Sequence, residues 1–130
     1  MTLGLLIAVL AAGAAGALLR FAVTKLSLPS TPAGPVAIFP WHILVVNTVG
    51  STIGGAVLGL QSVGVISPEW SLILLTGLCG GLTTFSTFSV ETVQLVLRRP
   101  RWLAVINLVA NLGCGLGAAW LGFVIVVSLA

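Results

Sequence analysis

The sequence predicts an all-α integral membrane protein: four transmembrane helices, a break in the third, in one domain spanning residues 1–130. Three observations carry this reading. Of 130 residues, 58% are hydrophobic and 5% charged, whereas soluble domains carry about 25% charged residues; two acids, five bases and one histidine cannot cover a water-facing surface. Four apolar segments each approach or exceed the roughly 20 residues that cross a bilayer as a helix. The stretches between them are short and rich in helix breakers or charge.

The first segment runs from about Leu3 to Ala22. It lacks the basic start of a signal peptide, and its small residues run throughout, so it reads as a retained helix. The second runs from about Trp41 to Leu60, after a Ser27–Pro40 connection with four prolines that cannot continue a helix. The third runs from about Leu72 to Leu97, beyond Gly64 and Pro68. The fourth runs from about Trp102 to Leu129, after the basic turn Arg98-Arg99-Pro100-Arg101. Trp41, Trp70 and Trp102 stand at segment boundaries, where interfacial tryptophans concentrate. In lipid only helix satisfies the backbone of such segments.

Small residues recur every four positions: Gly4, Ala8, Ala12 and Gly16; Ser51, Gly55 and Gly59; Ala110, Cys114, Ala118 and Gly122. This spacing lets helix backbones approach closely in lipid. Four helices with so many packing faces suggest association with a second subunit. Cys79 and Cys114 lie inside apolar segments and read as small buried hydrophobes. His42 stands alone at a boundary, and no Ser/His/Asp set, paired carboxylates or phosphate loop is present; the composition speaks against an enzyme. The five bases form no stripe of the kind that binds nucleic acid.

Polar groups inside the apolar segments carry the functional signal. Asn47 and Ser51 share a face of the second helix, as do Asn107 and Asn111 on the fourth. A buried amide is costly unless its hydrogen bonds are met; interhelical glue and the lining of a polar path both meet them. The third segment holds Gly80-Gly81-Leu82-Thr83-Thr84-Phe85-Ser86-Thr87-Phe88-Ser89 in its middle. Two glycines and two β-branched threonines weaken a helix, and a break from Gly80 to Thr84 frees carbonyls that suit a hard cation. Beyond it, Phe85 and Phe88 fall on one helical face beside the hydroxyls of Ser86, Thr87 and Ser89. Ring edges are electropositive, so edges and hydroxyls together suit a small anion. Arg20 either snorkels to the interface or draws anions into a vestibule. Glu91 is an acid near the membrane boundary without a fixed base partner.

At these residues the sequence resembles the fluoride channel family, Fluc or CrcB. Gly13 to Arg20 is similar to its GxxGAxxR opening, Asn47 to Ser51 to its N-x-x-G-S element, and GLCGGLTTFSTFSVE, Gly77 to Glu91, to its most specific run. The resemblance covers nearly the whole chain. It implies a passive, fluoride-specific channel that exports F⁻ and lowers cytoplasmic fluoride, in the cell inner membrane as a multi-pass protein. It implies a dual-topology antiparallel dimer with two pores. Phe85 and Phe88 correspond to the phenylalanines flanking fluoride, Asn47 to the pore asparagine, and Ser86, Thr87 and Ser89 to polar contacts near the rings. Backbone carbonyls of Gly80 and Thr83 from both subunits hold a structural Na⁺, and Arg20 faces a vestibule. Asn111 stands where members often carry serine, and Leu82 where an aromatic is common.

Arg20, Lys25, Arg98, Arg99 and Arg101 all fall toward one membrane side in a four-span topology. The positive-inside rule then favours one orientation, which keeps open a heterodimer with an oppositely oriented paralogue beside the homodimer. A competing class is the proton-coupled small multidrug transporter, also four helices. It needs an acid deep in the first helix, which this sequence lacks.

Overall fold

The computed structural model describes residues 2–27, 39–98 and 101–130. They form α1 (Leu3–Ser27), α2 (Trp41–Ser62), a third segment in four pieces, and α6 (Trp102–Leu129). The third segment comprises α3 (Pro68–Leu72), a π-helical stretch (Ile73–Cys79), α4 (Gly80–Leu82) and α5 (Phe85–Arg98). Four helices are thus long and apolar enough to cross a membrane: Leu3–Leu26, Trp41–Ser62, Pro68–Leu97 and Trp102–Leu129. Their outward faces carry exposed Leu, Val, Ile and Phe, and Trp41, Trp70 and Trp102 are exposed at helix starts. A multi-pass membrane protein is the arrangement that gives these side chains an apolar solvent.

The predicted segments are found, with wider ends. α1 continues five residues past Ala22, and the third segment begins at Pro68 rather than Leu72. Local chemistry sets these ends. Ser67 caps α3 by accepting from the Trp70 N–H at 3.5 Å, and Pro68 occupies the first turn, where its missing N–H costs nothing. α2 stops at Gly64, whose φ of 76° is left-handed. There Val65 N–H donates to Leu60 O at 2.9 Å and Gly64 N–H to Gln61 O at 3.1 Å, the paired bonds of a Schellman end. Residues 28–38, most of the proline-rich connection, and residues 99 and 100 of the basic turn lie outside the described residues.

The helices pack as two intimate pairs, α1 against the third segment and α2 against α6, with α5 also on α6. Glycines decide where backbones touch. A Cβ on Gly16 would collide with the Leu78 carbonyl and lie 2.8 Å from Leu82 N; one on Gly81 would collide with the Gly13 carbonyl. Gly55 sits on Ala119, Gly59 on Phe123 and Val126, and Gly122 on Thr52 and Ala56. The small-residue ladders are only partly used. Gly4 meets nothing within 4 Å, and Cys114, expected to be a buried hydrophobe, is exposed, while Cys79 is buried as expected. Gly113 and Gly117 near Cys114 are also open, while Gly115 between them lies against Ser51 of α2.

The break in the third segment is narrower than expected. Gly80 is helical at φ −62°, ψ −36°, and Phe85 already begins α5, so the interruption is confined to Thr83 and Thr84. The glycines weaken nothing here. Gly81 serves close approach to α1, where a Cβ would meet the Gly13 carbonyl, whereas a Cβ on Gly80 would have no α1 atom within 4 Å. The interruption comes with the Thr84 hydroxyl, which competes for a backbone partner.

Candidate functional site

Thr83 adopts an extended conformation, φ −76° and ψ 156°. Its N–H and its own hydroxyl both donate to the Cys79 carbonyl, each at 2.9 Å, and its extended ψ then ends α4. Thr84 then restarts the chain as a helix cap. Its Oγ1 accepts from Thr87 N–H at 3.2 Å, donates to Thr87 Oγ1 at 3.0 Å, and lies 3.3 Å from Ser86 Oγ. Such caps satisfy one of the free N–H groups of a helix's first turn.

Two of the carbonyls before the break have helical donors that turn to side chains instead. In a continuous helix Thr84 N–H would serve Gly80 O, and Thr87 N–H would serve Thr83 O. Instead Thr84 N–H donates to Asn47 Oδ1 at 2.9 Å, and Thr87 N–H has turned to Thr84 Oγ1. The Thr83 carbonyl accepts from Arg20 Nη1 at 3.1 Å.

α2 is shaped to receive the break. A Cβ on Gly50 would collide with the Thr83 methyl group, so glycine there lets Thr83 lodge against the helix. Asn47, three residues earlier and hence on the same face, catches the Thr84 N–H. The N-x-x-G spacing thus has a physical content: one position makes room for the break and the other satisfies it.

From Asn47 a chain of side-chain amides crosses to α6 and back to α5. Asn47 Nδ2 donates to Asn111 Oδ1 at 3.0 Å, and Asn111 Nδ2 donates to Asn107 at 3.0 Å, to both its side-chain and backbone oxygens. Asn107 Nδ2 donates to Thr92 Oγ1 at 2.8 Å, and Thr92 Oγ1 to Phe88 O at 2.7 Å. Asn107 is completely buried, with 0% of its surface exposed, so burial and bonding are matched as the cost of an amide in an apolar interior requires.

Beside this chain lies an open cavity of about 240 Å³ lined by Asn47, Ser51, Thr83, Thr84, Phe85, Phe88, Asn111 and Leu112. Asn47 and Ser51 face it together, as their spacing predicts. The Phe85 and Phe88 ring centroids are 5.7 Å apart with planes tilted 53°. Their surroundings differ sharply: Phe88 is 6% exposed and Phe85 79%.

Of the residues singled out in the sequence, the structure brings Asn47, Phe85, Phe88, Asn111 and Thr83 to one cavity. Ser86 and Thr87 join the Thr84 cap rather than the cavity wall. Ser89 Oγ donates back to the Phe85 carbonyl at 2.8 Å. Gly80 lies on α4 with its carbonyl donor diverted, and Arg20 reaches the break itself instead of the interface. Sequence reasoning passed over Thr84 and Thr92. Thr84 could have been found from the cap pattern Thr-x-x-Thr ahead of a new helix; Thr92 pairs with a residue 15 positions away, and no local spacing announces it.

A cavity lined by amides, hydroxyls and phenyl rings, set at a break in a membrane-spanning helix, is the kind of site that multi-pass membrane proteins conducting small ions carry. The chain belongs to the CrcB family: the family described as CrcB-like protein, Camphor Resistance (CrcB), matches residues 7–123. It is 43% identical over 119 residues to the fluoride-specific ion channel FluC 2 of Bacillus licheniformis, covering 92% of this chain and 84% of that protein. It is 42% identical to the fluoride-specific ion channel FluC of Renibacterium salmoninarum, covering 85% of this chain and 90% of that protein. FluC of Shewanella amazonensis is 39% identical, with 86% and 87% covered.

Proposed function

We propose that this protein is a fluoride-specific ion channel, passing F⁻ down its gradient out of the cell and so lowering cytoplasmic fluoride. The observation that carries the reading is the cavity at the Thr83–Thr84 break, where Asn47 and Asn111 amides meet the Phe85 and Phe88 rings in a chain whose relatives bear that activity in their names.

The chemistry fits the ion. A small, strongly hydrated anion needs many weak donors to replace its water. The Asn47 oxygen is occupied by Thr84 N–H and one of its N–H bonds by Asn111, which leaves its second N–H as a donor at the cavity. Both rings line the cavity, and the edge of an aromatic ring is its electropositive part. The hydroxyls of Ser51, Thr83 and Thr84 also line the cavity, with Ser86 and Thr87 clustered on Thr84 beside it.

Phe85 is almost fully exposed on one subunit, although it belongs to the path in this reading. We propose an antiparallel dimer in the cell inner membrane, in which a second subunit covers it and completes each of two pores. A homodimer is our reading. Arg20 donates to the Thr83 carbonyl, and a base so engaged weighs less in the orientation bias, which supports that reading. Insertion of singly tagged protein made without other family members tests this: termini on both sides support the homodimer, and termini on one side only require a paralogue.

At the break the Gly80 carbonyl has lost its helical donor, and the Thr83 carbonyl, with Arg20 on one lone pair, keeps a second; oxygen sets of this kind suit a hard cation. Gly80 and Thr83 of each subunit would hold a structural Na⁺ at the dimer axis, where it supplies fixed positive charge.

Purified protein in fluoride-loaded liposomes, with valinomycin releasing K⁺ and an electrode reading external fluoride, is the direct test. Fluoride leaves only with protein present if the reading holds; retention equal to protein-free liposomes sinks it. In the same assay Phe85→Ile removes a ring edge worth about 1 kcal/mol, so efflux falls by at least roughly fivefold. Because Phe85 is exposed on the subunit, the helix content of the variant stays that of the parent. Full efflux with normal folding removes Phe85 from the path.

A further inference from the structure

The Thr83 carbonyl and the Thr84 N–H are the two polar ends of one peptide unit, and both have left the helix ladder. A trans peptide is planar, and its C=O and N–H point in opposite directions. The oxygen end accepts from Arg20 Nη1 at 3.1 Å, and the N–H end donates to Asn47 Oδ1 at 2.9 Å. One rigid plane is therefore gripped from both sides, by α1 through Arg20 and by α2 through Asn47.

We propose that Arg20 is a positioning residue for the pore: its guanidinium replaces the missing backbone donor at Thr83, fixes the Thr83–Thr84 peptide plane, and through it sets the orientation of the Asn47 amide. The inference rests on the fluoride-channel reading for its effect on flux but not for the contact itself.

The surrounding helix is built for this reach. Gly16 and Arg20 are four apart and share a face of α1. At Gly16 the helix lies so close to the third segment that a Cβ would collide with the Leu78 carbonyl and sit 2.8 Å from Leu82 N and 3.1 Å from Gly81 C. One turn later Arg20 is half-buried with its donor on Thr83 O. A guanidinium is always charged and makes charge-assisted bonds stronger than neutral ones, so it holds a carbonyl more firmly than the lost amide did. A charge serving only to attract anions in a vestibule has no need of a backbone partner. Here the partner is the one carbonyl whose helical donor, Thr87 N–H, has been taken by Thr84 Oγ1.

The sequence offers a clean reporter. Thr83 and Thr84 are the sole pair of adjacent threonines in the chain. Cell-free protein made with threonine labelled at the carbonyl ¹³C and the ¹⁵N amide therefore gives one bonded carbon–nitrogen correlation, that of this peptide. In lipid bilayers, Arg20→Gln, too short to span the gap, moves the carbon of that peak upfield through loss of the donor. It moves the nitrogen as well, through displacement from Asn47. Maximal fluoride efflux falls and is not recovered by raising fluoride, because the defect lies in the path's geometry and not in local anion concentration. A peak that stays in place, or efflux restored by higher fluoride, overturns the proposal. If the variant does not fold, the unmutated chain decides: ¹⁵N-guanidinium arginine dephases the Thr83 carbonyl carbon selectively when the contact exists, and absence of dephasing overturns it. A contact present in protein that passes no fluoride would sink the channel reading and leave the grip on the peptide intact.

Discussion

Asn47→Asp reduces fluoride efflux at neutral pH by roughly a thousandfold, and acidification returns part of it. Aspartate keeps an oxygen for the Thr84 N–H, so the break stays seated on α2. It loses the Nδ2 donor to Asn111 and the second donor at the cavity, and it places a negative charge on the proposed anion path. Two like charges about 4 Å apart repel by about 4 kcal/mol at an effective dielectric of about 20, which sets the thousandfold figure. The sign of the pH effect follows from the same repulsion. A half-buried carboxylate disfavoured by a neighbouring anion has its pKa raised, so the carboxyl is charged and blocking above that value, and neutral with an O–H donor below it. Efflux measured at about pH 7 and about pH 5.5, with the leak of protein-free liposomes subtracted, reads this directly. A variant that conducts like its parent at pH 7 removes Asn47 from the pore.

Gly81→Ala disrupts the protein more broadly. The added methyl would collide with the Gly13 carbonyl and lie 3.0 Å from Gly13 C and 3.1 Å from Ala17 N. These are backbone atoms of α1 and cannot rotate aside. Overpacking of this kind costs about 1–3 kcal/mol, sometimes more, and it pushes α1 away two residues before the break, where Arg20 must reach Thr83. The expected result is a lower melting temperature in detergent together with lost efflux. Gly4→Ala is the matched control: nothing lies within 4 Å of its position, and alanine is the better helix former by up to about 1 kcal/mol. Equal melting of the two variants would show that the α1 contact is looser than it looks.

Much of this architecture was legible in the sequence because lipid leaves few options. Composition alone forces helices, and Trp41, Pro68, Trp102 and the basic turn mark their ends to within a few residues. The break was visible as a place but not as a mechanism. Gly80 and Gly81 read as helix weakeners, yet a glycine is also what lets two backbones touch, and at Gly81 only the position of α1 decides between these uses. The π-helical stretch from Ile73 to Cys79 has no counterpart in residue type or spacing that we can identify. Asn107 and Asn111 announce a shared face through their separation of four, whereas Thr92 and Arg20 acquire their partners only when distant segments meet. Local periodicity reports which face a residue occupies; it is silent on what will stand opposite.

The chain of amides has a sense of direction. It starts at the Thr84 backbone N–H, which can only give, and ends at the Phe88 backbone carbonyl, which can only receive. Between these fixed ends Asn47, Asn111, Asn107 and Thr92 each pass the bond on the same way. No single amide can turn over without leaving two donors or two acceptors face to face, so the alternative arrangement is closed to all of them at once. The dipoles add along the run and polarise one another. If anions pass as we propose, one arriving at Asn47 meets a donor already aimed at it, and a cation meets the wrong end of the same row, before either has disturbed the protein at all.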